Sequence, residues 1–169
     1  MTNGIVQQQQ TAWLSGALTR VGMVMLLIYV ALAIGDWRWP RLAGWQDIEL
    51  YKQLTGLVLV TLIVSQWRLT AARIDGTTRK AKRLLVAHRD WGALAPLLLY
   101  LHADEFGHAY VRVMCLSFLG LITLGLLHQP LTRLNRPRVT TAWLVTHVAL
   151  AAMLVVLVGY HAFNSFYYE

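Results

Sequence analysis

Long apolar runs constrain this chain more than any other feature. They fall at about residues 12–34, 54–70, 84–102, 109–127 and 140–163, and short polar or basic stretches separate them. About 20 apolar residues in a helix cross the ~30 Å hydrocarbon core of a bilayer. Inside that core no water is present to satisfy backbone N–H and C=O groups, so a spanning segment satisfies them within itself, as a helix does. The expected fold is therefore all-α, an integral membrane bundle of five transmembrane helices forming a single domain over residues 1–169. Composition agrees: 57% of residues are hydrophobic and 14% charged, against roughly 45–50% apolar and 25% charged in an ordinary soluble domain.

The formal charge of +7 raises nucleic acid as a partner, but its distribution argues against one. Arg68, Arg73, Arg79, Lys80, Lys82, Arg83 and Arg89 lie between the second run and the start of the third, and Arg133, Arg136 and Arg138 between the fourth and fifth. Cationic loops stay on the cytoplasmic side. The 68–89 and 129–139 loops are thus expected inside, and the tryptophan-bearing 36–53 loop and the 103–107 turn outside. Five spans then run with the N-terminus in and the C-terminus out. Met1–Gln10 reads as a loose polar tail, and Phe166, Tyr167 and Tyr168 form an aromatic end. Ala31-Leu32-Ala33 resembles a signal-peptidase site, yet no basic residue precedes Arg20 to make a signal-peptide n-region, so the first run is expected to be a retained span.

Several chemistries are excluded directly. Cys115 is the only cysteine and lies in an apolar run, so an intrachain disulfide, CxxC redox chemistry and covalent haem attachment through CxxCH are absent. There is no HExxH, no Gly-x-Ser-x-Gly elbow and no phosphate loop. The His102-x5-His108 spacing does not match the histidine boxes of membrane di-iron desaturases.

Histidine spacing carries the positive signal. His88 and His102 are fourteen apart, as are His147 and His161. At 100° per residue each pair falls about 40° short of four full turns and so shares a helix face, about 21 Å apart along the axis. The third and fifth runs point the same way, so His88 is level with His147 towards the cytoplasm and His102 with His161 towards the outside. Intramembrane ionisable groups mark functional sites. Two imidazoles from facing helices at each level are what six-coordinate haem b requires, and the expectation is two such haems, with His88 and His147 on the inner iron and His102 and His161 on the outer. His108 and His128 are about 200° out of phase, point to opposite sides of the fourth helix and are expected to be interfacial.

His88-Arg89-Asp90-Trp91-Gly92-Ala93-Leu94-Ala95, leading to His102, resembles the first haem-binding helix of the ferric reductase-like transmembrane domain, a di-haem membrane cytochrome b family. It includes ferric reductases, NADPH oxidases and the haem-containing membrane subunit of the periplasmic methionine sulfoxide reductase system. A later parallel helix supplies the partner ligands there, as His147 and His161 would here. The resemblance spans about residues 84–163. Family members usually have six spans, and many carry a flavin and nicotinamide domain that this chain has no room for. What the resemblance implies is a haem relay in a bacterial inner membrane, drawing electrons from a quinone pool or cytoplasmic donor and passing them to a periplasmic partner within a larger redox complex.

Arg89 and Arg20 near the inner level, and Arg112 near the outer, are candidate partners for haem propionates, because arginine binds carboxylates bidentately. Gly92, Gly120, Gly125 and Gly159 permit close approach of helices or porphyrin. The competing reading is a haem-free structural or assembly subunit whose histidines hydrogen-bond between helices. A small proton channel is disfavoured, since Asp104 and Glu105 sit in a turn and Asp90 at a span edge.

Overall fold

A computed structural model describes residues 2–167, with side-chain surroundings from residue 16 onward. Met1, Tyr168 and Glu169 lie outside the described residues, and with them part of the expected aromatic end. The described residues are all helical apart from turns: α1 (Thr2–Ile34), α2 (Pro40–Gln46), α3 (Glu49–Ile74), α4 (Thr78–His102), α5 (Ala109–Leu126), α6 (His128–Arg133) and α7 (Pro137–Tyr167).

Among the described residues four helical stretches are long and apolar enough to cross a membrane: Gly16–Ile34, Glu49–Ile74, Ala109–Leu126 and Pro137–Tyr167. The third expected span is also a helix, α4, but its first half carries Arg79, Lys80, Lys82, Arg83, Arg89 and Asp90, which sets it apart in composition. Three expectations about loops are corrected. The polar tail is helical from Thr2, in keeping with the helix propensity of glutamine. The 36–53 segment contains α2, which opens with Pro40 at its first position, where a missing N–H costs nothing. The basic 68–89 stretch is mostly the ends of α3 and α4, because arginine and lysine are good helix formers and continue a helix beyond its apolar part.

Local chemistry explains where the helices stop. Past α3, the Thr77 N–H reaches the Ala72 carbonyl and the Gly76 N–H the Arg73 carbonyl, with Gly76 at φ 69°. This left-handed closure satisfies the orphan carbonyls of the last turn. The turn between α4 and α5 uses Gly107 at φ 70°.

The core joins Leu26 and Tyr29 of α1, Leu59 and Leu62 of α3, Ala93, Ala95 and Leu99 of α4, Cys115, Phe118, Leu119, Ile122 and Leu126 of α5, and Leu154 of α7. α4 sits centrally, against α1, α3 and α5, whereas α7 packs on α5 and α6. The outer faces keep large apolar side chains exposed, among them Leu27, Ile28, Leu57, Val64, Val113, Leu116, Val148 and Val156. Apolar area on this scale suits lipid contact and not water.

α1 and α4 touch backbone to backbone. A Cβ added at Gly22 would stand 2.5 Å from the Ala93 carbonyl oxygen, so the helices approach this closely only over glycine. Nothing lies within 4 Å of a Cβ at Gly16, on the same helix. Gly22→Ala should therefore destabilise the detergent-solubilised protein by about 1–3 kcal/mol. Gly16→Ala should be neutral or stabilising by up to about 1 kcal/mol. Thermal unfolding of the two variants side by side checks both signs.

Candidate functional site

Two pairs of imidazoles bridge α4 and α7. The ring centres of His88 and His147 are 6.2 Å apart with planes at 61°. Those of His102 and His161 are 6.4 Å apart with planes at 82°. All four rings are partly buried. Ala95 lies seven residues from both His88 and His102, and Leu154 seven from both His147 and His161. Both are buried, 2% and 1% exposed, so the space between the two levels is apolar core.

The separations are informative. An imidazole nitrogen lies about 1.1 Å from its ring centre, so two rings joined head-on by a hydrogen bond have centres no more than about 5.5 Å apart. Two rings on opposite sides of one metal ion, each with a bond of about 2.0–2.1 Å, have centres roughly 6.3 Å apart. Both pairs match the second distance.

At the outer level the periphery of each ring is held. His102 Nδ1 lies 3.1 Å from Thr55 Oγ1. The single proton of that hydroxyl is directed at the Tyr51 carbonyl, 2.8 Å away, so the oxygen accepts from Nδ1–H. The Lys52 backbone lies near the same ring. A ligand histidine is oriented in this way, with one nitrogen donating to a fixed acceptor and the other turned to the metal. Gly56 makes room, for a Cβ there would be 3.2 Å from His102 Cε1. His161 Nδ1 is 3.4 Å from the Tyr110 hydroxyl, which also accepts from Asn164 Nδ2 at 3.3 Å.

The inner level is built differently. The backbone of Gln66 lies near the His88 ring. The Nδ1 atoms of both His88 and His147 are buried without a hydrogen-bond partner. An unsatisfied buried polar atom costs about 1–3 kcal/mol, so each is an acceptor or donor awaiting a partner. His147 stacks on Trp143, ring centres 5.6 Å apart, and Trp143 is anchored through Nε1 to the Leu124 carbonyl at 2.9 Å. His128 packs against the same indole at 4.8 Å. Burial, followed by the nearby Arg89 and Arg73 guanidiniums, pushes His128 below the ordinary histidine value and keeps it neutral at pH 7.

The candidate arginines have local partners. Arg89 Nε is 3.6 Å from Asp90 Oδ1. Arg112 is exposed and donates to the Gly107 carbonyl at 3.1 Å, and Arg20 is exposed and donates to the Gly16 carbonyl at 3.4 Å. His108 is exposed at the start of α5. Cys115 is buried with its Sγ 3.5 Å from the Tyr29 hydroxyl.

Sequence spacing found the histidines but not their supports. Thr55, Tyr110, Asn164 and Trp143 act across helices and repeat with no period. Gln46 is another such residue. It is 5% exposed, and its Nε2 donates to the Tyr100 carbonyl at 2.8 Å and the Leu101 carbonyl at 3.3 Å. Those are orphan acceptors of the last turn of α4, so α2 caps the helix end that bears His102.

Among the described residues no group of three or more His, Cys, Asp or Glu side chains gathers to hold a bare metal ion. Two ligands per level instead suit a metal whose other four positions a macrocycle fills. The residues present therefore fit haem in number, ligand type and separation. The chain matches no protein-family model, no curated protein and no solved structure.

Gln46→Leu keeps the side chain's bulk and removes the cap. It should cost about 1–3 kcal/mol and accelerate amide exchange in the last turn of α4, leaving the middle of that helix protected. Hydrogen exchange in detergent reads both regions at once.

Proposed function

We propose that this chain is a membrane cytochrome b subunit that carries electrons across the bilayer, from a quinone pool or cytoplasmic donor to a partner on the opposite side, through two bis-histidine b-type haems. The observation that carries the proposal is the pairing of four histidines on two helices, at ring separations of 6.2 and 6.4 Å. Bound at such pairs, haem supplies reversible one-electron chemistry within the hydrocarbon layer. His88 and His147 would hold the inner group, and His102 and His161 the outer. Thr55 fixes the His102 tautomer, and the apolar layer around Ala95 and Leu154 keeps water from between the levels.

In this reading α4 is a fifth span. It returns from α3 through the short Asp75–Thr77 turn and hands over to α5 through residues 103–108. At 1.5 Å per residue its 25 residues are about 37 Å long, enough to cross. The cationic α3–α4 and α6–α7 ends then face the cytoplasm, giving N-in and C-out. Arg89, beside His88 in sequence and with its Nε buried without a hydrogen-bond partner, is the better placed of the candidate propionate partners. Arg112 is solvent-facing and occupied by Gly107. As the resemblance to di-haem membrane cytochromes implies, the subunit would work with other subunits of a redox complex in a bacterial inner membrane.

The test is a reduced-minus-oxidised absorption spectrum with a pyridine haemochrome assay on the detergent-purified protein. Two b-type haems per chain are expected. His102→Ala and His161→Ala should each remove one and the same haem, and His88→Ala and His147→Ala the other. A folded, haem-free protein from haem-replete cells would overturn the proposal in favour of a structural or assembly subunit. Gly56→Ala should weaken only the outer haem, because the added methyl presses on His102.

A further inference from the structure

The two histidine levels differ in what stands behind the rings. Tyr110, in the first turn of α5, reaches across to α7 and sets its hydroxyl 3.4 Å from His161 Nδ1. The hydroxyl is itself placed from two directions. Asn164, on α7, donates to it at 3.3 Å, and the Tyr110 ring packs edge-on against Tyr160 with centres 4.9 Å apart. With Nε2 turned to a metal, Nδ1 carries the ring proton, and the Tyr110 oxygen is then its acceptor. Across the same level, Thr55 accepts from His102 Nδ1–H. At the inner level His147 Nδ1 is buried with no hydrogen-bond partner, and an indole lies against its ring.

Resting on the haem reading above, we infer that Tyr110 is a positioning residue for the outer centre: it holds His161 in the Nδ1–H tautomer with Nε2 as the ligand, and with Thr55 makes the outer centre the lower-potential of the two. The chemistry is that of a ligand's far side. An acceptor on Nδ1–H makes an imidazole a more basic ligand, and a more basic ligand favours the ferric over the ferrous state. Both outer ligands have a side-chain hydroxyl in that role, His161 from Tyr110 and His102 from Thr55. Of the inner ligands, neither His88 nor His147 has a hydrogen-bond partner at Nδ1, although the Gln66 backbone lies near the His88 ring. Charge acts in the same sense at the inner level, where Arg73 lies near His88 and Arg89 near His128, since nearby cations favour the reduced state. Lys52 near His102 and Asp90 beside Arg89 oppose it, and the two hydroxyl acceptors must outweigh them.

The experiment is a potentiometric titration of the purified holoprotein, followed in the haem absorption bands, on wild type, Tyr110→Phe and Asn164→Leu. The outer centre is identified as the one missing from His102→Ala. Two resolved midpoints are expected in wild type, the lower belonging to the outer centre. Tyr110→Phe should keep both haems and raise the outer midpoint, leaving the inner unchanged. Asn164→Leu, which frees the hydroxyl from its anchor, should shift the outer midpoint the same way by less, and it reads the same contact if Tyr110→Phe does not fold. An unchanged outer midpoint in both variants, or an outer centre with the higher potential in wild type, would overturn the inference and leave the haem reading standing. A wild-type protein without haem would overturn the reading first and the inference with it.

Discussion

A polar side chain inside an apolar slab must find a polar partner or face the interior of the bundle, and the arrangement of this molecule follows from that requirement. α4 is the least apolar of the long helices and the one packed against α1, α3 and α5. Neighbours meet its polar groups at the end that bears His102, the ring by Thr55 and the last carbonyls by Gln46, while His88 Nδ1 at the other level stays without a hydrogen-bond partner. The helices around it turn apolar faces outward. The layout is inside-out relative to a soluble bundle, where the most polar helix would be the most exposed.

The same requirement explains why α7 stands off from α4 and packs on α5. A direct seam between α4 and α7 would bring their backbones together and push the four imidazoles into each other. With α5 alongside, Ala95 and Leu154 meet in a common core while the rings stay 6.2 and 6.4 Å apart at either end. The close packing that holds this spacing lies elsewhere, at the Gly22–Ala93 crossing, where α1 presses on α4 with no side chain between. Rigid packing on one side of α4 thus maintains a defined gap on the other.

Much of this was legible in the sequence, for identifiable reasons. Apolar run length marks four of the long helices directly, and the fourteen-residue spacing places histidines on one face because helical phase accumulates predictably. Loop extents were not legible: arginine and lysine between the runs mark a membrane boundary but also favour helix, so α3 continues to Ile74 and α4 starts at Thr78. Nor were the residues behind the rings. Thr55 and Gln46 reach α4 from other helices, and Tyr110 meets His161 from α5. Such contacts depend on how each helix is rotated about its axis, which one helix's periodicity does not fix. The same holds for Trp143, whose indole lies between His128 and His147.

The choice between a haem and a bare metal ion rests on ligand arithmetic. A bare transition-metal site in a protein takes three or four side-chain ligands around one point. Here the histidines come as two separated pairs with leucine and alanine between them, and among the described residues no carboxylate or thiolate joins either pair to make a third ligand. Direct histidine–histidine hydrogen bonding would need the rings nearly 1 Å closer. In the proposed reading a macrocycle would supply the remaining ligands, so that two histidines suffice at each level. Neutral imidazoles suit the low-dielectric layer, where a charged ligand would carry a heavy desolvation cost. The ligand type, their number and the apolar partition between levels are what favour the proposed haem over a bare ion at each level.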